Sequence, residues 1–150
     1  MICVVQRVRE ARVMVGERVV GQIGPGLTVL AAVHHDDGEA ELEKAAQKLL
    51  TLRVFPEADQ AYHRDVTEVQ GGVLLVPNFT VAADTSGGRR PALHPAARPE
   101  VARTLFAQLV ERMRGRYARV ETGEFGAEMA VHLVNDGPLT VLVEVRARAR

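Results

Sequence analysis

The sequence predicts a single α/β domain built on a mainly antiparallel sheet with two principal helices. Three observations carry this. Short apolar runs recur between Gly, Pro, Asn and Asp residues, as strands do between turns. Two longer stretches, Glu39–Leu52 and Glu100–Gly115, space their apolar residues as a helix does. The first runs are joined too closely for helical crossovers, so they must be antiparallel neighbours. A chain of 150 residues is long enough for one continuous core and short for two. With 47% apolar and 25% charged residues it has the composition of a globular protein; aromatics are only 4%, so Val, Leu and Ala must fill the core. The domain is expected to span 1–150 without an internal repeat or linker.

Ile2–Val8 alternates loosely and reads as a strand. Val13–Val15 and Arg18–Ile23 flank Gly16-Glu17, a connection compatible with a hairpin, and Gly24-Pro25-Gly26 is a second turn. Leu27–Val33 is continuously apolar, the mark of a strand covered on both faces. After His34-His35-Asp36-Asp37-Gly38, in which Asp37 or Gly38 can act as N-cap, Glu39–Leu52 places Ala40, Leu42, Ala45, Ala46, Leu49, Leu50 and Leu52 on one broad face. Leu52–Phe55 reads as a short strand stopped by Pro56. Glu57–Gly72 is polar and punctuated, a loop with a short edge strand at most. Val73–Val76 is a strand ended by Pro77, which cannot donate to a ladder. Thr85–Pro99, with Gly87-Gly88-Arg89-Arg90-Pro91, is a long surface loop. The second helix carries Val101, Leu105, Leu109 and Met113 at fourfold spacing. Met129–Val134 and Leu139–Val145 are the last two strands, separated by Asn135-Asp136-Gly137-Pro138.

The formal net charge is zero, which supplies no global attraction to a polyanion. The basic residues are nearly all arginines and gather in three places: Arg7, Arg9, Arg12 and Arg18; Arg112, Arg114, Arg116 and Arg119; and Arg146, Arg148 and Arg150. Arginine forks suit phosphates, but solvated faces explain such runs equally well. The lone cysteine, Cys3, removes any disulfide framework and reads as core. The start lacks a basic region followed by a long apolar run, and no run approaches a membrane span. A cytoplasmic protein without a membrane partner is expected.

Two segments interrupt strands with chemistry-bearing residues. In Pro77-Asn78-Phe79-Thr80 a buried strand stops making regular hydrogen bonds, which can leave the Phe79 and Thr80 N–H groups for the oxygen of an acyl carbonyl; local side-chain bonds in a turn are the plainer explanation. In Asn135-Asp136-Gly137-Pro138 every residue favours a turn. Neither a Ser-His-Asp nor a Cys-His arrangement stands out. The segment His34-His35-Asp36-Asp37 at the strand's end offers ligand types, but adjacent histidines alternate faces in a strand and no His-Glu-x-x-His is present. Neither a metal nor a cofactor is expected, and His132 reads as one face of an ordinary strand.

An ordered set of residues across the chain resembles the D-aminoacyl-tRNA deacylase family. The set runs from Gln6-Arg7-Val8 and Ala11 through Gly21–Leu27, Leu50-Thr51-Leu52-Arg53-Val54-Phe55 and Phe79-Thr80-Val81-Ala82-Ala83-Asp84-Thr85. It continues in Gly88-Arg89-Arg90-Pro91, Thr122–Met129 and Asn135–Thr140. The resemblance implies a homodimer of partly barrel-like subunits with sites completed across the interface. It implies hydrolysis of the ester joining a D-amino acid, and also glycine, to the end of tRNA, as chirality proofreading. It further implies that Gly137-Pro138 selects the chiral centre from the partner's side and that Arg7 holds this loop. Thr80, Phe79 and Asn78 would form the catalytic floor, while Phe125, Met129 and Asn135 support the pocket and Arg89 and Arg90 meet the tRNA end. Where the family has Ser-Gln, this chain has Pro77-Asn78. That departure keeps open an editing deacylase for another small misacylated residue, and a non-catalytic protein that binds the tRNA end is the reading from a different class.

Overall fold

The computed structural model describes residues 1–148. Two sequence segments that read as separate pieces, Ile2–Val8 and Val13–Val15, are one strand: β1 runs from Ile2 to Val15 without a break. It turns back at Gly16-Glu17 into β2 (Arg18–Ile23), pairing Val15 with Arg18 and Met14 with Val19. The first half of β1 pairs on the same side with β3 (Gly26–Ala32), from Ile2 opposite Ala32 to Val8 opposite Gly26. Thus β2 and β3 are not paired to each other; they share the two halves of one long strand.

The helix α1 (Glu39–Thr51) has Gly38 as N-cap, and Glu41 reaches back so that its carboxylate accepts the Gly38 N–H at 2.9 Å. Its buried face is Glu41, Leu42, Ala45, Ala46, Leu49 and Leu50. The strand read at Leu52–Phe55 instead begins at Phe55 and runs through Pro56 as β4 (Phe55–Glu57), and it pairs with β5 (Gln60–Arg64), a short strand within the expected loop. β6 (Gly72–Pro77) then lies parallel to β3, with Val73 opposite Leu27 and Pro77 opposite Ala31. The second helix, α2 (Pro99–Arg116), buries Ala102, Phe106, Leu109, Val110 and Met113. Val101, expected on that face, is 45% exposed, because the buried stripe runs through Ala102 and Phe106 before it meets the fourfold series at Leu109 and Met113. β7 (Val120–Thr122), not foreseen in the sequence, adds parallel to β6, and β8 (Ala130–Glu144) runs antiparallel along β1 from Met14 opposite Ala130 to Ile2 opposite Glu144.

The order is therefore β8-β1-β3-β6-β7 at one end of β1, with β2 beside its other end. The sheet curls so far that β2 lies against β6 and β7. A Cβ on Gly21 would stand 2.3 Å from the Thr122 carbonyl oxygen and 3.0 Å from Leu74, so only glycine admits this approach. The result is the partly barrel-like sheet that the resemblance implies. Cys3, Val5, Leu27, Val29, Val73 and Leu75 point to the side of the two helices and form the larger core with them. Val8, Val13, Ile23, Leu74 and Val76 form a smaller core within the curl. The helices are clipped together by Glu43, paired with Arg116 and with Arg112 at 3.0 Å; the Arg116 guanidinium holds that carboxyl below its ordinary range. No helix of the described residues is long and apolar enough to cross a membrane.

Candidate active site

Two places on the sheet gather the residues singled out in the sequence. The first is the end of β6. Pro77 closes the ladder, Asn78 N–H still donates to Ala31 O at 2.8 Å, and the chain then winds into a 3-10 turn over Phe79–Ala82. That turn begins with Val81 N–H on Asn78 O and ends with Ala83 N–H on Thr80 O. Among the described residues the N–H groups of Phe79 and Thr80 have no partner: they are the initial donors of a helical turn, which geometry always leaves over. They are adjacent and open to solvent, with Phe79 55% exposed.

The Thr80 hydroxyl donates to Asn78 Oδ1 at 2.7 Å. An amide oxygen accepts a hydrogen bond but cannot accept the proton itself near neutral pH, so this partner orients the hydroxyl without activating it. Cys3 is no alternative nucleophile: burial pushes its thiol up to about 12. Met129 packs against the smaller core within the curl, and its sulfur accepts the Glu124 N–H at 3.4 Å. Phe125 faces the other way. It packs on α2, with its ring 6.3 Å from that of Phe106 and the Arg103 guanidinium 4.8 Å above it. The two residues named together as pocket supports thus anchor opposite faces of one strap, residues 123–129.

From the 3-10 turn the chain passes directly into the arginine loop. Asp84 and Ala92 exchange backbone hydrogen bonds of 2.8 and 2.9 Å, closing a loop whose exposed tip carries Arg89 and Arg90. The late arginines are occupied differently. Arg114 donates to Val120 O and Arg119 to Gln70 O, so together with the Glu43 clip this run ties helices to strands. Of the C-terminal run, Arg146 pairs with Glu144 and Arg150 lies outside the described residues.

The second place is in the middle of β8. Gln6 is opposite Thr140 and Val8 opposite Asn135, so the four residues Asp136–Leu139 are extruded opposite Arg7 alone. The sequence reads a turn between two strands here; the structure has a wide bulge in one continuous strand. Asn135 makes this possible. Its side-chain oxygen accepts the Leu139 N–H at 2.8 Å and its amide nitrogen donates to Leu139 O at 3.1 Å, so one side chain does for Leu139 what a neighbouring strand would. Arg7, with only 14% of its side chain exposed, donates from Nε to Asp136 O at 3.0 Å and from a terminal nitrogen to Val54 O at 2.5 Å. The Asp136 carboxylate lies 3.5 Å from both Arg7 and Arg9. Pinned at its base, the exposed tip is Gly137-Pro138, joined by a cis peptide bond. At Gly137, φ is +146° and a Cβ would meet Leu139 N at 2.8 Å and an Arg7 nitrogen at 3.2 Å.

The two places are far apart within one chain. The bulge is level with Arg7, hence with Leu27 and Val73; the 3-10 turn follows Pro77, level with Ala31 and Cys3. Four residues of strand, about 13 Å, separate the two levels along the sheet. Between them, on the face away from the helices, Leu142, Val4, Leu30 and Val76 stand opposite one another in a row across four strands. Leu142 in this row is 66% exposed.

The histidine pair departs from expectation. β3 ends at Ala32, so His34 and His35 lie not on a strand but on a turn, and their rings stack with centroids 4.2 Å apart.

The family model described as D-Tyr-tRNA(Tyr) deacylase matches residues 4–144. A D-aminoacyl-tRNA deacylase of Ectopseudomonas mendocina is 50% identical over 145 residues, covering 97% of this chain and all of that protein. That of Paracidovorax citrulli is 48% identical over 97% of this chain and 94% of its own length. The solved structure of a c-Myc DNA unwinding element binding protein superposes with a TM-score of 0.93 at 36% identity, covering 98% of this chain and 100% of that one. A probable eukaryotic D-amino acid tRNA deacylase has the same fold, with a TM-score of 0.85 at 18% identity over 96% of this chain and 98% of that one.

Proposed function

The chain belongs to the D-Tyr-tRNA(Tyr) deacylase family, and on that premise we propose that it hydrolyses the ester of D-aminoacyl-tRNA, and of glycyl-tRNA, as a cytoplasmic proofreading homodimer. The observation that carries the reading is the pair of adjacent unpartnered N–H groups of Phe79 and Thr80 at the end of β6. Two fixed donors at one point are what a carbonyl oxygen needs as it acquires negative charge.

In this reaction a water oxygen bonds to the ester carbonyl carbon and the carbonyl oxygen becomes an oxyanion held by the two N–H groups. Collapse breaks the bond to the ribose oxygen, which takes a proton that came from the water. Free amino acid and tRNA leave. Water rather than Thr80 is the nucleophile, because the acceptor that the hydroxyl has among the described residues, Asn78 Oδ1, is no base. Asn78 positions Thr80, and Arg89 and Arg90, on the loop that leaves the same 3-10 turn, suit the phosphates at the tRNA end.

The chiral choice belongs to Gly137-Pro138. Its tip is exposed and its base is fixed by Arg7 and Asn135, which makes it a stiff wedge of main chain. Stiff backbone excludes a side chain by clash whatever its chemistry, so one wedge serves many D-residues and also admits glycine. The offset of about 13 Å along the sheet keeps a wedge from its own chain's 3-10 turn. A twofold partner can bring it there. Leu142, 66% exposed at the open end of that apolar row, supplies a contact for that partner.

The test is release of amino acid from matched D-tyrosyl-, L-tyrosyl- and glycyl-tRNA by the purified protein. Rapid hydrolysis of the D- and glycyl-esters with the L-ester spared is expected. Equal rates on D and L would remove the wedge's role, and binding of all three without hydrolysis would leave a tRNA-end binding protein.

A further inference from the structure

The stacked pair His34–His35 has no part in the chemistry above, and its setting is unusually well fixed. Every backbone N–H of the turn is committed. His34 N–H donates to Asp37 Oδ2 at 2.7 Å and His35 N–H to Pro95 O at 3.0 Å. Asp36 N–H donates to His34 Nδ1 at 3.3 Å, and Asp37 N–H to His34 O at 3.0 Å. Asp37 is itself held by the Met1 amino group at 2.6 Å, and His34 forms a bridge with Ala96. Such a turn cannot easily let its side chains wander.

Onto one side of it project three ligand types, two imidazoles and a carboxylate, whose ligand atoms all lie within 4.8 Å of one another. The carboxylate straddles the rings: Asp36 Oδ1 is 2.8 Å from His35 Nδ1 and Oδ2 is 3.8 Å from His34 Nδ1. Ligands at 2.0–2.1 Å from a tetrahedral ion stand about 3.3 Å from each other. The two Asp36 distances bracket that value and the remaining pair lies within 4.8 Å, so shifts of about 1.5 Å at most would bring the set to coordination.

We propose that His34, His35 and Asp36 form a divalent transition-metal site, binding through the two Nδ1 atoms and one Asp36 oxygen, with water completing the shell. Binding takes the place of the long Asp36 N–H···Nδ1 contact at His34 and leaves the proton of each ring on Nε2. Two nitrogens and one oxygen select borderline ions such as Zn2+, Co2+ or Ni2+; Mg2+ prefers all-oxygen octahedra. Nothing in the proposal depends on the deacylase reaction.

The experiment is a titration of the chelator-stripped full chain with Co2+, followed by its visible absorption, then displacement by Zn2+. One ion per chain is expected, insensitive to Mg2+. The His35→Ala and Asp36→Asn variants are expected to bind at least roughly tenfold more weakly, since loss of an outer-shell partner alone costs ten- to a hundredfold. His132→Ala, on the exposed part of β8, is expected to bind as wild type. Both altered residues are at least half exposed, and unchanged melting of the metal-free variants verifies folding. Binding that neither substitution weakens, or no saturable binding, overturns the site.

Discussion

At Thr80 a single hydrogen bond separates two chemistries. A threonine nucleophile needs a group that removes its proton, and the hydroxyl's acceptor is the amide oxygen of Asn78. Thr80→Val is therefore expected to keep kcat/KM within about tenfold of wild type, against the roughly million-fold loss that follows removal of a true nucleophile. Single-turnover deacylation of D-tyrosyl-tRNA measures it, and a loss of that larger order would restore Thr80 as the attacking group. The sequence placed Asn78, Phe79 and Thr80 together because Pro77 must end a ladder. It could not tell which atom Asn78 would face. The histidine pair was misread for a related reason: alternation applies on a strand, and the strand stops two residues earlier, at Ala32.

The wedge is a property of β8 as an element. Its base is closed by the two-way bond between the Asn135 amide and Leu139, and replacing Asn135 with Ala leaves the Leu139 N–H and carbonyl without that partner. A stability loss of about 1–3 kcal/mol is expected in denaturant unfolding. A fall in the D-to-L rate ratio is expected alongside it, because a loosened wedge rejects less. An unchanged ratio would mean that Arg7 alone fixes the loop. Elements built from local pattern were legible in the sequence: α1, the Gly16-Glu17 hairpin, the apolar strands β3 and β6, and α2. What was not legible depends on partners remote in sequence. β7 is three residues whose pairing is supplied by β6. Asn-Asp-Gly-Pro spells a turn locally, and only pairing with β1 on both sides makes it a bulge. The β4–β5 ribbon hides in polar residues because both its strands are largely exposed.

For the whole molecule the central claim is that a site needs two chains, floor from one and wedge from the other. Gly137→Ala should spoil the wedge, because its Cβ would strike Leu139 N and the conformation at φ +146° is hostile to a side chain. Thr80→Pro should spoil the floor by deleting one of the two N–H donors, a loss that Thr80→Val does not cause. Each variant alone should be inactive: Thr80→Pro lacks a donor, and in Gly137→Ala a displaced wedge no longer seats the α-carbon so that the ester carbonyl meets the two N–H groups. The decisive measurement is deacylation of D-tyrosyl-tRNA after the two variants are unfolded together and refolded as a mixture. Random pairing makes half the dimers mixed, each with one intact site, so activity should return to about a quarter of wild type. If mixed dimers form and activity stays at the level of the separate variants, the wedge does not act across the interface.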